Sequence, residues 1–405
     1  MSVTSQQGSG SVVRPSARAT RLAGEGALDV LAAARRLEAG GTDVVHLEIG
    51  EPGIPTPGHI VEAGVRALRE GHTRYGPPQG LPELRAAVAD SLASRGVRAT
   101  PDEVVITPGA KPMITFALLA VLEPGDEVLV PDPGFPIYAS VARFADARPV
   151  AYPLDRPGGF QLSPDAIAER ISARTRVLVL NLPHNPTGGA AEEAALDRVA
   201  ALALRHDLVV ITDEVYSRLR YDGAATSIAA RPGLRARTVL VDGFSKAYAM
   251  TGWRLGYGVL PPALADRVTA LIINSTTCTP AFVQLAGLVA LTGPQDPVDA
   301  FVTALRARRD RLVRGLNAIP GISCPLPPGA FYAFPDVRPV LARAGLDTDA
   351  FAARLLSRYG VAALSGTAFG PGGDGHLRLS FAAPADAVER ALERLERCVS
   401  ELPSA

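Results

Sequence analysis

Gly243-Phe244-Ser245-Lys246-Ala247-Tyr248-Ala249-Met250-Thr251-Gly252-Trp253-Arg254-Leu255-Gly256 follows the β-branched run Thr238-Val239-Leu240-Val241. The run reads as a buried strand, so Lys246 stands just past a strand end, eight residues before Arg254. Small neighbours let another group approach the backbone closely. A lysine in that position needs a reason, because burying an ammonium is costly unless it is paired or gives up its charge.

Working outward, apolar strands alternate with amphipathic helices from Glu103 onward. Val104-Ile106, Glu127-Val130, Val150-Pro153, Val177-Leu182 and Leu208-Ile211 read as strands, and Ala110-Leu122, Phe135-Phe144, Pro164-Ile171 and Glu192-Arg205 as the helices between them. Such alternation predicts βαβ units, hence an α/β fold with a mostly parallel sheet sandwiched by helices. Past Gly256-Leu260 the pattern changes. A long helix near Val298-Leu316 leads into short strands near Phe331-Phe334, Val361-Leu364 and His376-Phe381 and helices near Ala350-Tyr359 and Ala385-Val399, a smaller α+β unit. Upstream, a helix near Ala27-Glu38 and a strand Val44-Ile49 precede Gly50-Glu51-Pro52-Gly53-Ile54-Pro55-Thr56-Pro57, a composition in which neither helix nor strand survives. The expected division is a flexible arm at 1–20, a small domain at 21–54 with 300–405, and a large α/β domain at 55–299.

With 405 residues, 47% of them hydrophobic, the chain is long enough for two cores. Lys plus Arg and Asp plus Glu balance at 41 each, which argues against nucleic acid or an anionic membrane as the main partner. Three scattered cysteines, Cys278, Cys324 and Cys398, form no metal spacing or disulfide framework and suit a reducing cytoplasm. No apolar run reaches membrane-spanning length, and the polar N-terminus lacks a signal-peptide core.

Ligands of open parallel sheets bind in the loops beyond the strand C-termini. Here those loops hold Gly109-Ala110-Lys111, Phe135, Asn185-Pro186-Thr187-Gly188, Asp213-Glu214-Val215-Tyr216 and Ser245-Lys246. Gly109-Ala110 opens a helix whose free amides favour a phosphate, although a plain helix start reads the same way and neither a Walker nor a dinucleotide fingerprint is present. Asp213 is a solvated loop acid, a helix cap, or a buried carboxylate facing a protonated ring nitrogen. A metal site is disfavoured, since adjacent residues on an extended chain point apart and no histidine completes a ligand set. Tyr216 and Phe135 read equally as core rings, Asn185 as a turn cap, and His184 as structural or solvent-facing. What joins them is the lysine: an amine, a carboxylate, an aromatic ring and a phosphate-ready helix end are together the parts of a pyridoxal phosphate site.

These residues carry a resemblance to the fold type I, class I/II aminotransferases, in the subgroup of bacterial aspartate and related enzymes. It spans Val44 to the C-terminal helix. Gly243-Phe244-Ser245-Lys246 with Gly252-Trp253-Arg254-Leu255-Gly256 resembles the family's lysine signature, and Asn181-Leu182-Pro183-His184-Asn185-Pro186-Thr187-Gly188 its Asn-Pro-Thr-Gly element. The resemblance implies that Lys246 bears pyridoxal 5'-phosphate as a Schiff base, that Asp213 pairs with the pyridine nitrogen, and that Asn185 and Tyr216 bond the ring oxygen. It implies further that Phe135 stacks on the ring and that Gly109, Ala110, Lys111, Ser245 and Arg254 surround the phosphate. Arg378 would clamp the substrate α-carboxylate, Gly50 would approach the substrate, and Tyr75 would reach the phosphate of a neighbouring subunit, which implies a homodimer. Phe135 in place of the commoner Trp or Tyr, and Gly243 in place of Ser, are departures; Ser245 compensates for the second. The implied reaction is ping-pong transfer of an amino group from an L-amino acid to a 2-oxo acid. Elimination, decarboxylation, cyclisation or oxidation on the same scaffold is the alternative, and a ligand-sensing regulator is opposed by the short stretch before Gly50 and the neutral charge. Ile54 and Asn274-Ser275-Thr276-Thr277 are candidates for the pocket's selective wall, and neither carries an arginine for a second carboxylate.

Overall fold

The apolar runs become strands whose alternate side chains feed two layers of core. In the computed structural model, which describes residues 13–403 apart from 23, 25, 224 and 225, they are β1 (Val45–His46), β2 (Val104–Thr107), β3 (Glu127–Asp132), β4 (Arg148–Pro153), β5 (Thr175–Asn181), β6 (Val209–Asp213), β7 (Thr238–Gly243), β8 (Gly256–Val259), β9 (Tyr332–Ala333), β10 (Val361–Ala362), β11 (Leu364–Ser365) and β12 (Leu377–Ser380). Seven form the central sheet in the order β2-β8-β7-β6-β5-β3-β4. Only β8 runs against its neighbours, pairing antiparallel with both β2 and β7; β3 to β7 are parallel to one another.

Period-two alternation sorts these strands between faces. Val177, Val179, Ile211, Val239 and Val241 pack with the helices Ala110–Val121, Ile137–Phe144 and Pro262–Ile273. Leu178, Leu180 and Val210 turn to the opposite side, against the helix Glu193–Arg205. Both faces are covered, which is why the central strands read as continuous apolar runs.

The remaining elements assemble around a separate cluster that joins Val45 and Leu47 to Phe301, Leu305, Phe351, Leu379 and Leu395. The helix Ala385–Ser400 contributes Val388, Ala391, Leu395 and Val399, the apolar stripe of a 3.6-residue period. Two small sheets complete this part. β1 pairs with β10 in parallel, and β12 lies between β11 and β9.

Several elements differ from the sequence reading. The strand expected over Val44-Ile49 shrinks to β1, because the chain turns at once into the Gly/Pro-rich crossing. Phe135 precedes its helix, which starts only after Pro136. Asp213 is the last residue of β6 instead of following it. A short helix, Arg338–Ala344, lacks the length for a clear periodic signal and was not foreseen. Of the expected N-terminal arm, residues 1–12 lie outside the described residues; beyond them, Arg18 and Arg21, around the turn Ala19–Arg21, both pair with Asp146.

The C-terminal ends of β6 and β7 are tied by a buried ion network. Arg95, from the 3-10 turn Leu92–Arg95, reaches Glu214 and Asp242 at 2.9 Å each. All three are nearly inaccessible, with side chains 10%, 3% and 8% exposed. Thr212 and Ser227 also donate to Glu214, at 3.0 and 2.6 Å, and Ser217 to Asp242 at 3.2 Å. Burial pushes Glu214 up to about 7, against the pull of Arg95, and burial raises Asp242 as well. Removing one partner of a buried pair strands the others. Arg95→Met should therefore lose about 3–5 kcal/mol of stability. The carboxylates it exposes to burial alone take up protons in the folded state, so stability falls as pH rises through their raised values. The deficit should be larger at pH 8 than at pH 5; urea unfolding of both proteins at the two pH values measures it, and equal deficits would rule out the charge-based account.

Candidate active site

Strand ends converge on one cavity of about 600 Å³ beyond the sheet. It is lined by Gly50, Ala110, Lys111, Phe135, Asn185, Asp213, Tyr216, Ser245, Lys246, Arg254 and Arg378. Gly109 lies at its edge, against the Arg254 guanidinium. Tyr75, expected to serve a neighbouring subunit, is 87% exposed and is not part of this chain's lining.

Lys246 arrives three residues after β7, behind the buried anchor Phe244. Its Nζ donates to the Gly50 carbonyl at 2.5 Å and lies 6.0 Å from the Tyr216 ring and 5.7 Å from the Phe331 ring. Burial first, then the Arg378 charge, holds its ammonium down to about 8 from the usual 10.5; Glu51 and Asp213 oppose this. Glu51, at the cavity mouth, accepts a hydrogen bond from Thr251.

Asp213 ends β6 with its carboxylate in the cavity floor. Tyr138 donates its hydroxyl to Oδ2 at 2.7 Å and the Val215 amide approaches Oδ1 at 3.3 Å. Burial raises this carboxyl to about 6, although the Tyr138 bond works the other way. Asn181, at the end of β5, donates to the Asp213 carbonyl at 3.0 Å and accepts the Asn185 amide at 2.8 Å. One amide side chain thus sets the spacing between two loops.

Arg378, on β12, donates from Nη1 to Asn185 Oδ1 at 3.1 Å and from Nη2 to the Glu48 carbonyl. Its guanidinium lies 4.5 Å over the Tyr332 ring and 5.0 Å over Phe369. Its Nε is buried with no acceptor, and the residue borders the cavity, where a guanidinium suits a carboxylate.

The opposite end suits a phosphate. The helix Ala110–Val121 begins there with no side-chain cap from Gly109. Gly109 has φ 95°, open to glycine, and a Cβ would collide with the Arg254 guanidinium. Arg254, itself left-handed at φ 55°, anchors Nη1 on the Thr251 carbonyl at 2.9 Å and is otherwise exposed to the cavity. A half-buried amine held at about 8, a buried carboxylate, a flanking Phe135 ring and this anion cradle fit pyridoxal phosphate.

Other sequence readings resolve as structure. His184 is buried, bonded through Nδ1 to Thr187 Oγ1 at 2.9 Å, and burial lowers it to about 3, so it is a neutral structural histidine. Ile54 packs on the C-terminal core and residues 274–277 are exposed beyond the helix Pro262–Ile273; neither lines the cavity of this chain. Among the described residues no cluster of His, Cys, Asp or Glu is arranged to hold a metal, and no helix is long and apolar enough to cross a membrane. Sequence reasoning missed Tyr138, Tyr332 and Phe369, which carry no local signal. Asn181 did carry one: a polar residue closing an apolar strand.

The family profile for aminotransferase class I and II matches residues 42–395. The aspartate aminotransferase of Musicola paradisiaca is 39% identical over 376 residues, covering 92% of this chain and 93% of that protein. Among solved structures, the aspartate aminotransferase of Thermus thermophilus superposes with a TM-score of 0.90 at 38% identity, over 95% of this chain and all (100%) of that one. The alanine aminotransferase of Pyrococcus furiosus gives 0.89 at 34% identity, over 96% and 100%.

The lysine's environment has a consequence that needs no cofactor. Its folded value lies below its unfolded one, so the unfolded chain binds more protons between them and stability rises with pH across that interval. Lys246→Met should stabilise the cofactor-free protein below pH 8, and the gain should fade between about pH 8 and 10.5. Urea unfolding along that series checks it; a gain independent of pH would show that folding leaves the lysine's proton affinity unshifted.

Proposed function

The chain belongs to the aminotransferase class I and II family, and from that premise we propose how its own residues divide the work. The protein is a pyridoxal phosphate-dependent aminotransferase, an enzyme that moves amino groups between amino acids and 2-oxo acids. One observation carries the assignment of roles: a half-buried amine held at about 8 shares a cavity with a buried carboxylate and a buried arginine.

Pyridoxal phosphate, when bound, supplies a carbonyl that condenses with amines and a ring that accepts the electrons of a broken C–H bond. Lys246 would be its covalent anchor. Gly109 and Ala110 amides, Ser245 and Arg254 would hold the phosphate, with Lys111 beside them. Asn185 and Tyr216 would hold the ring oxygen and Phe135 would cover the ring face. Asp213 would keep a proton on the ring nitrogen, a task suited to a carboxylate that burial has left short of positive charge.

Arg378 binds the α-carboxylate and so orients the substrate's Cα hydrogen, while the Gly50 loop closes the substrate side. Lys246 Nζ moves the α-proton, and its depressed proton affinity keeps a share of it neutral at physiological pH. Exclusion of water by the apolar rings Phe135, Phe331 and Phe369 favours return of that proton over side reactions.

We further propose a homodimer in which the exposed Tyr75 serves the phosphate end of the second copy's cavity. The free thiols Cys278, Cys324 and Cys398 support a cytoplasmic setting. The separate core around residues 301–402 supports a small domain of 21–54 with 300–405 beside a cofactor-holding 55–299.

The test is a half-reaction series. Each of a panel of L-amino acids is added to the cofactor-loaded enzyme, and a 2-oxo acid follows. A productive amino acid should abolish the visible band and the 2-oxo acid should restore it, whereas Lys246→Ala should do neither. Ammonia or peroxide release without that cycle would refute transfer. Arg378→Ala should lower kcat/KM about thirtyfold or more, chiefly through KM, because it removes a buried charged partner of the carboxylate; unchanged kinetics would remove Arg378 from the site.

A further inference from the structure

Tyr332 touches three parts of this site at once. Its hydroxyl lies 2.8 Å from the Tyr216 hydroxyl. Its ring lies 4.5 Å beneath the Arg378 guanidinium. A Cβ on Gly50 would overlap its hydroxyl, so the loop that accepts the Lys246 ammonium rests directly on it. The side chain is 1% exposed and contributes to the cavity lining.

The register explains the coincidence. β9 and β12 run antiparallel with Ser380 opposite Tyr332. Arg378 and Ser380 are two residues apart and share a face, so Arg378 is the diagonal neighbour of Tyr332. A stacked guanidinium loses freedom without losing its in-plane donors, which stay available to a carboxylate.

The hydroxyl contact has a direction when the site works. Either oxygen of the pair can donate. If Tyr216 donates to the cofactor's ring oxygen, its own proton is committed, and Tyr332 becomes the donor to Tyr216. Hydrogen bonds in such a chain strengthen one another. Building on the roles assigned above, we propose that Tyr332 is a positioning residue: its hydroxyl commits Tyr216 to donate into the cavity, and its ring holds the Arg378 guanidinium ready for the substrate carboxylate.

Two variants of the holoenzyme separate the halves. Tyr332→Phe keeps the ring and removes the donor. Tyr216 then pulls less on the ring oxygen, which becomes more negative and strengthens the hold of the lysine–cofactor linkage on its proton. The pH midpoint of the bound cofactor's visible absorbance, measured without substrate, should rise by about half to one pH unit, with KM for the best amino acid of the panel within about twofold of wild type. Tyr332→Leu removes the stack as well, and KM should rise about fivefold or more. A midpoint unmoved in Tyr332→Phe overturns the hydroxyl role, and a KM unmoved in Tyr332→Leu overturns the clamp role. A wild-type protein without a pH-dependent cofactor band would instead overturn the assignment of the cavity itself, and this proposal with it.

Discussion

The buried guanidinium of Arg95 holds together the two strand ends on which the chemistry depends. It bridges Glu214, which follows β6, and Asp242, the penultimate residue of β7. The residue before Glu214 is the cavity carboxylate Asp213; four residues after Asp242 comes Lys246. A sheet alone fixes strands in register but leaves the loops past its edge free to splay. The ion network extends that order by one layer, through charge-assisted bonds that are strong where water is excluded. Its cost is two carboxylates for one cation in a dry place, and the raised proton affinity of Glu214 is the sign of that imbalance.

The parts of the fold that could be read along the chain were those with local causes. Alternating apolar runs name the parallel strands, and the strand-end rule then names Asp213, Asn185 and Ser245-Lys246 as neighbours. Arg378 is different. β12 is only four residues long, and nothing in its composition separates a substrate clamp from a surface arginine; resemblance to a family marked it. Tyr138, Tyr332 and Arg95 were out of reach for a physical reason. Each acts through a contact more than 70 residues away in the chain: Tyr138 with Asp213, Tyr332 with Tyr216, Arg95 with Glu214. Such pairings are products of packing, and no spacing encodes them.

The two ends of the cavity draw on different physics. The phosphate end is built from backbone: a helix start, a left-handed Gly109 and an Arg254 whose conformation is itself left-handed. Motifs of backbone leave glycines and turn residues in the sequence, which is why this end is visible there. The carboxylate end is built from side chains stacked across β9 and β12, with Phe369 brought from a third segment. It tolerates many sequences, so it leaves a weaker trace.

Burial also explains how a lysine and an aspartate can share one small space and remain useful. In water their proton affinities lie more than six pH units apart, at 10.5 and 3.8. In the cavity, desolvation disfavours charge on both and moves them to about 8 and about 6. Each unit of separation is worth about 1.4 kcal/mol of proton-transfer free energy. Burial thus draws both proton affinities toward neutral pH and toward each other. An ion pair drawn tight between the two would do the opposite, since each charge would stabilise the other and push the affinities apart. Instead the Gly50 carbonyl holds the amine and the Tyr138 hydroxyl holds the carboxylate. Neutral hydrogen-bonding partners position both groups without adding a second charge, and that leaves both able to respond to a ligand in the cavity.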